Sequence, residues 1–159
     1  MINNVFGKVY DIRVMYTHVS ELNSDGDSTG KAILIPNEFI FTHAIINYTK
    51  GTGFIWDSIA VHLTYKSDWK KSIKTIERIV QDYYDKNIKK EVESTFKGSF
   101  KGYEKIKARI VAHERGITIK VRYLVSFEKA NDIKDELMMI ILEKLKKEEV
   151  VFGKVENVS

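Results

Sequence analysis

Cysteine is missing from all 159 residues. That excludes disulfides, a thiol nucleophile and a zinc–thiolate centre, and it suits a reducing compartment. Long apolar runs are missing too. The longest unbroken one covers residues 137–142, whereas a bilayer-crossing helix takes roughly 18–20 apolar residues. The first residues, Met1-Ile2-Asn3-Asn4, have neither the basic start nor the apolar core of a signal peptide. Glycine is sparse, and Gly51-Thr52-Gly53 is a GxG without its third glycine, so it reads as a linker and not as a phosphate loop. The four histidines, His18, His43, His62 and His113, form no short-spaced pair and have no acidic cluster beside them. The sequence therefore offers no metal centre. No GxSxG elbow or triad pattern occurs. Ser67 and Ser126 stand at expected helix starts, where capping accounts for them.

What is present fits an ordered protein: 43% hydrophobic and 30% charged residues, with a net charge of +4. The charge is uneven. Residues 1–56 hold 4 Lys/Arg against 5 Asp/Glu, and residues 57–159 hold 22 against 17. The shift supports a boundary near Gly51-Thr52-Gly53, giving an expected β-domain over 1–53 and an α/β domain over 54–159.

Proline occurs once, at position 36. An apolar run, residues 32–35, precedes it and a second run starts at Phe39. Proline cannot donate to a strand ladder, and Asn37 is a turn former. The local expectation is strand, Pro-Asn corner, then a second strand over 39–48. Upstream, Tyr10, Ile12, Val14 and Tyr16 alternate with Asp11, Arg13, Met15 and Thr17 as in strands, and residues 23–28 form a polar turn.

The second half alternates differently. Ile59, Val61, Leu63 and Tyr65 predict a strand. Ser67 or Asp68 offers an N-cap, and Ile73, Ile76, Val80 and Tyr83 or Tyr84 follow at helical spacing. That helix is expected to fray over 90–96. Ile106, Ala108, Ile110 and Ala112 predict a strand, Glu114-Arg115-Gly116 a hairpin turn, and residues 117–127 another strand. Ile133, Leu137, Ile140, Ile141 and Leu145 mark a second helix, and Val150-Val151-Phe152 a last strand. The order β-α-β-β-α-β is a split βαβ, ferredoxin-like pattern. His62, Thr64, Lys120, Arg122 and Leu124 are expected on the sheet face opposite the helices, and Phe39, Phe41 and Trp56 are candidate interface aromatics.

Residues 7–49 carry a resemblance. Gly7-Lys8-Val9-Tyr10-Asp11-Ile12, a polar hairpin tip at Asp25-Gly26, then Ile35-Pro36-Asn37 and Ile45-Ile46-Asn47 resemble the β-domain signature of the small-conductance mechanosensitive channel (MscS) family. The resemblance implies an Sm-like β-domain followed by a ferredoxin-like α/β domain, with Gly7, Pro36, Asn37 and Asn47 as structural motif residues. It further implies the cytoplasmic vestibule of a tension-gated channel at the inner membrane. Such a portion is soluble by itself and joined to the membrane only through upstream helices. In the family seven copies make a cage that admits ions and small osmolytes, with no cofactor and no catalysis. One departure stands out: the tail after the last helix has no proline.

A basic segment remains. Lys86, Lys89, Lys90, Lys97, Lys101, Lys105, Lys107 and Arg109 face only Glu91, Glu93 and Glu104, with Phe96, Phe100 and Tyr103 interleaved. A nucleic-acid surface would have this composition, but no RNP1-like pattern accompanies it. The preferred expectation is a solvated face that biases which ions approach.

Overall fold

The computed structural model describes residues 5–49, 51–96 and 106–148. The chain divides into two compact units, Met1–Gly51 and Thr52–Ser159.

The first unit is an antiparallel meander of β1 (Gly7–Ile12), β2 (Tyr16–Leu22) and β3 (Ser28–Pro36), in that spatial order. The β2–β3 turn is built by Asn23, whose side-chain oxygen accepts from the amides of Asp25 and Asp27 at 3.0 and 2.9 Å, with Gly26 at φ 91°. Period-two alternation turns Thr17 and Val19 inward, and both are buried. β1 slips register between Val9 and Asp11, a bulge that bends the strand.

The expected strand over 39–48 does not form. Past Pro36 the chain makes one helical turn, α1 (Phe39–Thr42), and residues 44–47 have no regular structure. Local bonds explain the difference: the Ile40 amide donates to Asn37 O, Phe41 to Glu38 O and His43 to Phe39 O. Phe39 and His43, one turn apart, stack with ring centroids 4.8 Å apart. Adjacent Phe39, Ile40 and Phe41 lack the alternation that a half-buried strand needs.

The second unit runs β4 (Phe54–Leu63), α2 (Trp69–Asn87), α3 (Lys89–Phe96), β5 (Ala108–His113), β6 (Gly116–Ser126), a 3-10 turn (Phe127–Lys129) and α4 (Ala130–Lys147). Its sheet has the order β4-β6-β5, antiparallel throughout. This is the strand arrangement of the first three strands of a split βαβ. The expected strand Val150-Val151-Phe152 lies outside the described residues. Mixed α and β with two small antiparallel sheets is the fold class.

One face of the second sheet forms the core. Ile59, Val61 and Leu63 of β4 and Ile117, Ile119, Val121 and Val125 of β6 are buried against Ile76, Val80 and Tyr84 of α2 and Leu137, Ile141 and Leu145 of α4. Ile140 is exposed, so the α4 stripe is narrower than its sequence implies. Asp68, not Ser67, caps α2, accepting from the Lys71 amide at 3.1 Å. Ser126 makes no side-chain cap. The expected fraying over 90–96 gives way to α3, whose first turn is anchored by Glu91 and Val92 amides donating to Ile88 O.

Two side chains of α2 tie down the start of β5: Gln81 accepts from the Ile106 amide and Glu77 from the Ala108 amide, at 2.9 and 2.7 Å. A polar layer joins helices and sheet. The Tyr123 hydroxyl donates to Asp57 at 3.2 Å, Lys134 lies 3.5 Å from the same carboxylate, and the Tyr83 hydroxyl donates to Glu136.

Candidate functional site

In the first unit the motif residues converge on one corner. Pro36 is the last residue of β3, paired across from Tyr16. Asn37 follows with every polar group engaged. Its amide donates to Met15 O at 2.9 Å. Its side-chain nitrogen donates to Arg13 O and Val14 O at 2.7 and 3.0 Å, and its side-chain oxygen accepts from the Thr17 hydroxyl at 2.8 Å. The Pro-Asn corner therefore clamps the β1–β2 turn. No isostere reproduces this: aspartate lacks the donors, and leucine lacks both donors and acceptor.

Gly7 begins β1 where a Cβ would strike the Ser20 carbonyl oxygen and Val19 Cγ1. Asn47 makes a local turn, accepting from the Thr49 amide at 3.1 Å and its hydroxyl at 3.3 Å. Around this corner apolar side chains stand open: Val14 is 92% and Phe41 88% exposed, and Ile12 and Met15 are also exposed.

The basic segment falls on two surfaces of the second unit. Lys86 and Lys90 lie exposed on the end of α2 and the start of α3, and Lys89 pairs with Asp85 at 3.6 Å. Lys107 precedes β5 and is exposed. Arg109 sits in β5 directly across from Lys120, on the sheet face turned away from α2 and α4. Lys97, Lys101 and Lys105 lie outside the described residues.

That outer face also carries a cluster with no local sequence signal. The Thr118 hydroxyl lies 2.8 Å from both His62 Nδ1 and His113 Nε2. Three strands contribute to it, with His62 and Thr118 56 positions apart in the chain. Leu124, expected on this face, is buried in the core cluster and not open to solvent. Arg122 stacks over Trp56 at 4.9 Å, a cation–π contact.

Electrostatically the helix-facing layer is paired. Burial, and then the hydrogen bond to Glu136, pushes the Tyr83 hydroxyl up to about 12. Burial, with the Asp57 charge second, raises Tyr123 as well. Among the described residues no group of three or more His, Asp or Glu side chains could hold a metal ion. Among them, too, no helix is long and apolar enough to cross a membrane.

No protein-family model and no curated protein matches the chain. Solved structures do. The cryo-EM structure of wild-type AtMSL1 matches with a TM-score of 0.57 and 18% identity, covering 98% of this chain and 49% of that one. The crystal structure of Helicobacter pylori MscS in its closed state matches with a TM-score of 0.60 and 17% identity, covering 99% and 56%. Both are channel proteins, and this chain spans about half their length. Across both of its units, then, the chain has the fold of about half of an MscS-family channel chain.

Proposed function

We propose that this chain is the vestibule portion of a tension-gated, MscS-type channel, lying on the cytoplasmic side of the inner membrane and assembling as a ring of seven copies. The observation that carries the reading is a fold match over nearly the whole chain to two such channels, joined to the Gly7, Ile35-Pro36-Asn37 and Asn47 pattern of the first unit. In this role the Pro36–Asn37 corner shapes the β-domain, and copies of the second unit form a wall through which ions and small osmolytes pass. The chemistry is transport, with no covalent step and no cofactor. Tension shifts a closed–open equilibrium in membrane helices, and the vestibule holds those helices in register.

The open apolar surface of the first unit supports assembly. Side chains such as Val14 and Phe41 are costly to leave in water and are normal where neighbouring copies meet. The basic side chains Lys86, Lys89, Lys90, Lys97, Lys101, Lys105, Lys107 and Arg109 would bias ion approach. A nucleic-acid reading needs one continuous basic and aromatic surface, whereas Lys86 and Lys90 lie on helices and Arg109 on the opposite sheet face.

A chimera tests the proposal. The matching half of Helicobacter pylori MscS is replaced by this chain and expressed in cells stripped of their own mechanosensitive channels. Survival of a sudden drop in osmolarity is the expected result. Death at the rate of channel-free cells, with the chimera in the membrane as an oligomer, would refute it.

A further inference from the structure

The outer face of the β4-β6-β5 sheet has a charge distribution that composition does not explain. Its rows read Ser58–Arg122, Ala60–Lys120–Arg109 and His62–Thr118–Val111, with His113 at the hairpin end. Arg109, Lys120, Arg122, His62 and His113 all lie on it, and none of these strand positions holds a carboxylate. Yet the chain has 22 Asp and Glu against 26 Lys and Arg. Elsewhere in the same unit some cations are matched: Lys129 with Glu91 at 2.8 Å, Lys134 with Asp57 at 3.5 Å and Lys71 with Glu148 at 3.8 Å.

Arg109 and Lys120 are direct cross-strand partners, and like charges so placed destabilise a sheet. Small side chains stand on the other side of β6: Ala60 across from Lys120 and Ser58 across from Arg122. At one end the Thr118 hydroxyl is shared by two imidazoles. A hydroxyl has one proton to give. At most one of the two rings can accept that proton, so the other turns an N–H toward the Thr118 oxygen.

We propose that this face is an oxyanion site for a phosphate-bearing ligand, formed by Arg109, Lys120, His62, His113 and Thr118, with Arg122 at its rim. Arginine forks, imidazolium and a hydroxyl are the donors that bind phosphate oxygens most strongly. The other titratable groups near it are Glu114 and Arg115 in the hairpin turn and Tyr65, whose hydroxyl donates to His113 O at 2.7 Å. The inference concerns this chain's own sheet and is independent of its place in a channel.

Calorimetric titration of the 159-residue chain with inorganic diphosphate tests it. The parent should bind diphosphate saturably. The double variant Arg109→Gln/Lys120→Gln should lose roughly tenfold or more in affinity. It should also melt no lower than the parent, because it removes a like-charge pair. Lys86→Gln/Lys90→Gln, with the same charge change on the helices, should bind as the parent does. Equal losses in the two double variants, or no binding by the parent, would each overturn the site. So would binding of a single-stranded oligonucleotide that diphosphate does not displace, which would point to a nucleic-acid surface instead.

Discussion

Asn37 is the side chain whose loss reaches furthest in the first unit, because four hydrogen bonds converge on it from residues 13–17. Asn37→Ala should cost about 1–3 kcal/mol, the range for a few partly exposed hydrogen bonds. Amide exchange at residues 13–17 should quicken, while that of α4 should not change. Tyr83 carries the pH prediction. Its folded pKa of about 12 lies above the ordinary phenol value of about 10. The stability it contributes is therefore complete below about pH 10 and is lost as pH climbs toward 12. Tyr83→Phe should flatten the fall of urea-denaturation stability between those limits. Tyr123, also raised by burial and by Asp57, should leave part of that slope in place. The Asn37 clamp was half legible in the sequence, since Pro-Asn marks a corner. Its partners Arg13, Val14 and Thr17 were not, because they come from the β1–β2 turn and the start of β2, twenty or more residues upstream. The Thr118 cluster was hidden for the same reason, although the Glu114-Arg115-Gly116 turn sets the β5–β6 register that brings His113 to Thr118.

The elements of the second unit follow from periodicity. Strict alternation along β6 places Ile117, Ile119, Val121, Tyr123 and Val125 on the core face, and the 3.6-residue spacing of α2 and α4 supplies the facing stripes. Leu137→Ala, at a position fully buried in α4, should lower unfolding free energy by about 3 kcal/mol through lost contacts and a residual cavity. Gly116→Ala should be as damaging for another reason. Its Cβ would meet the Leu63 carbonyl oxygen at the end of β4, and such overpacking costs about 1–3 kcal/mol. Both effects are read from chemical denaturation. Where apolar residues stand in succession without a period, as in residues 39–41, the strand expected from sequence does not form. Short-range backbone bonds decided for a helical turn. The helix start went to Asp68, whose carboxylate reaches the Lys71 amide, where either it or Ser67 had been open. In α3 the sequence showed a loss of amphipathic spacing, but Ile88 keeps the helical path going by accepting two amides.

On the scale of the whole molecule the two units differ in what they bury. The second has a continuous core on both helices and the sheet, whereas among the described residues of the first only Thr17 and Val19 are buried. In the proposed channel, a unit with so little interior and with Val14 and Phe41 in the open is stabilised by the neighbouring copies it meets. Val14→Asp or Phe41→Asp should therefore change the melting of the isolated chain little, as exposed substitutions do, by about 0.5 kcal/mol or less. In the channel chimera the same changes should break the oligomer, read as loss of the high-mass species in detergent. The most direct measurement is patch recording of that chimera in membranes free of other mechanosensitive channels. If the chain forms a vestibule, stepwise currents should appear as suction raises membrane tension and vanish when it is released. An assembled, membrane-inserted chimera that stays silent up to the tension at which the patch ruptures would contradict it.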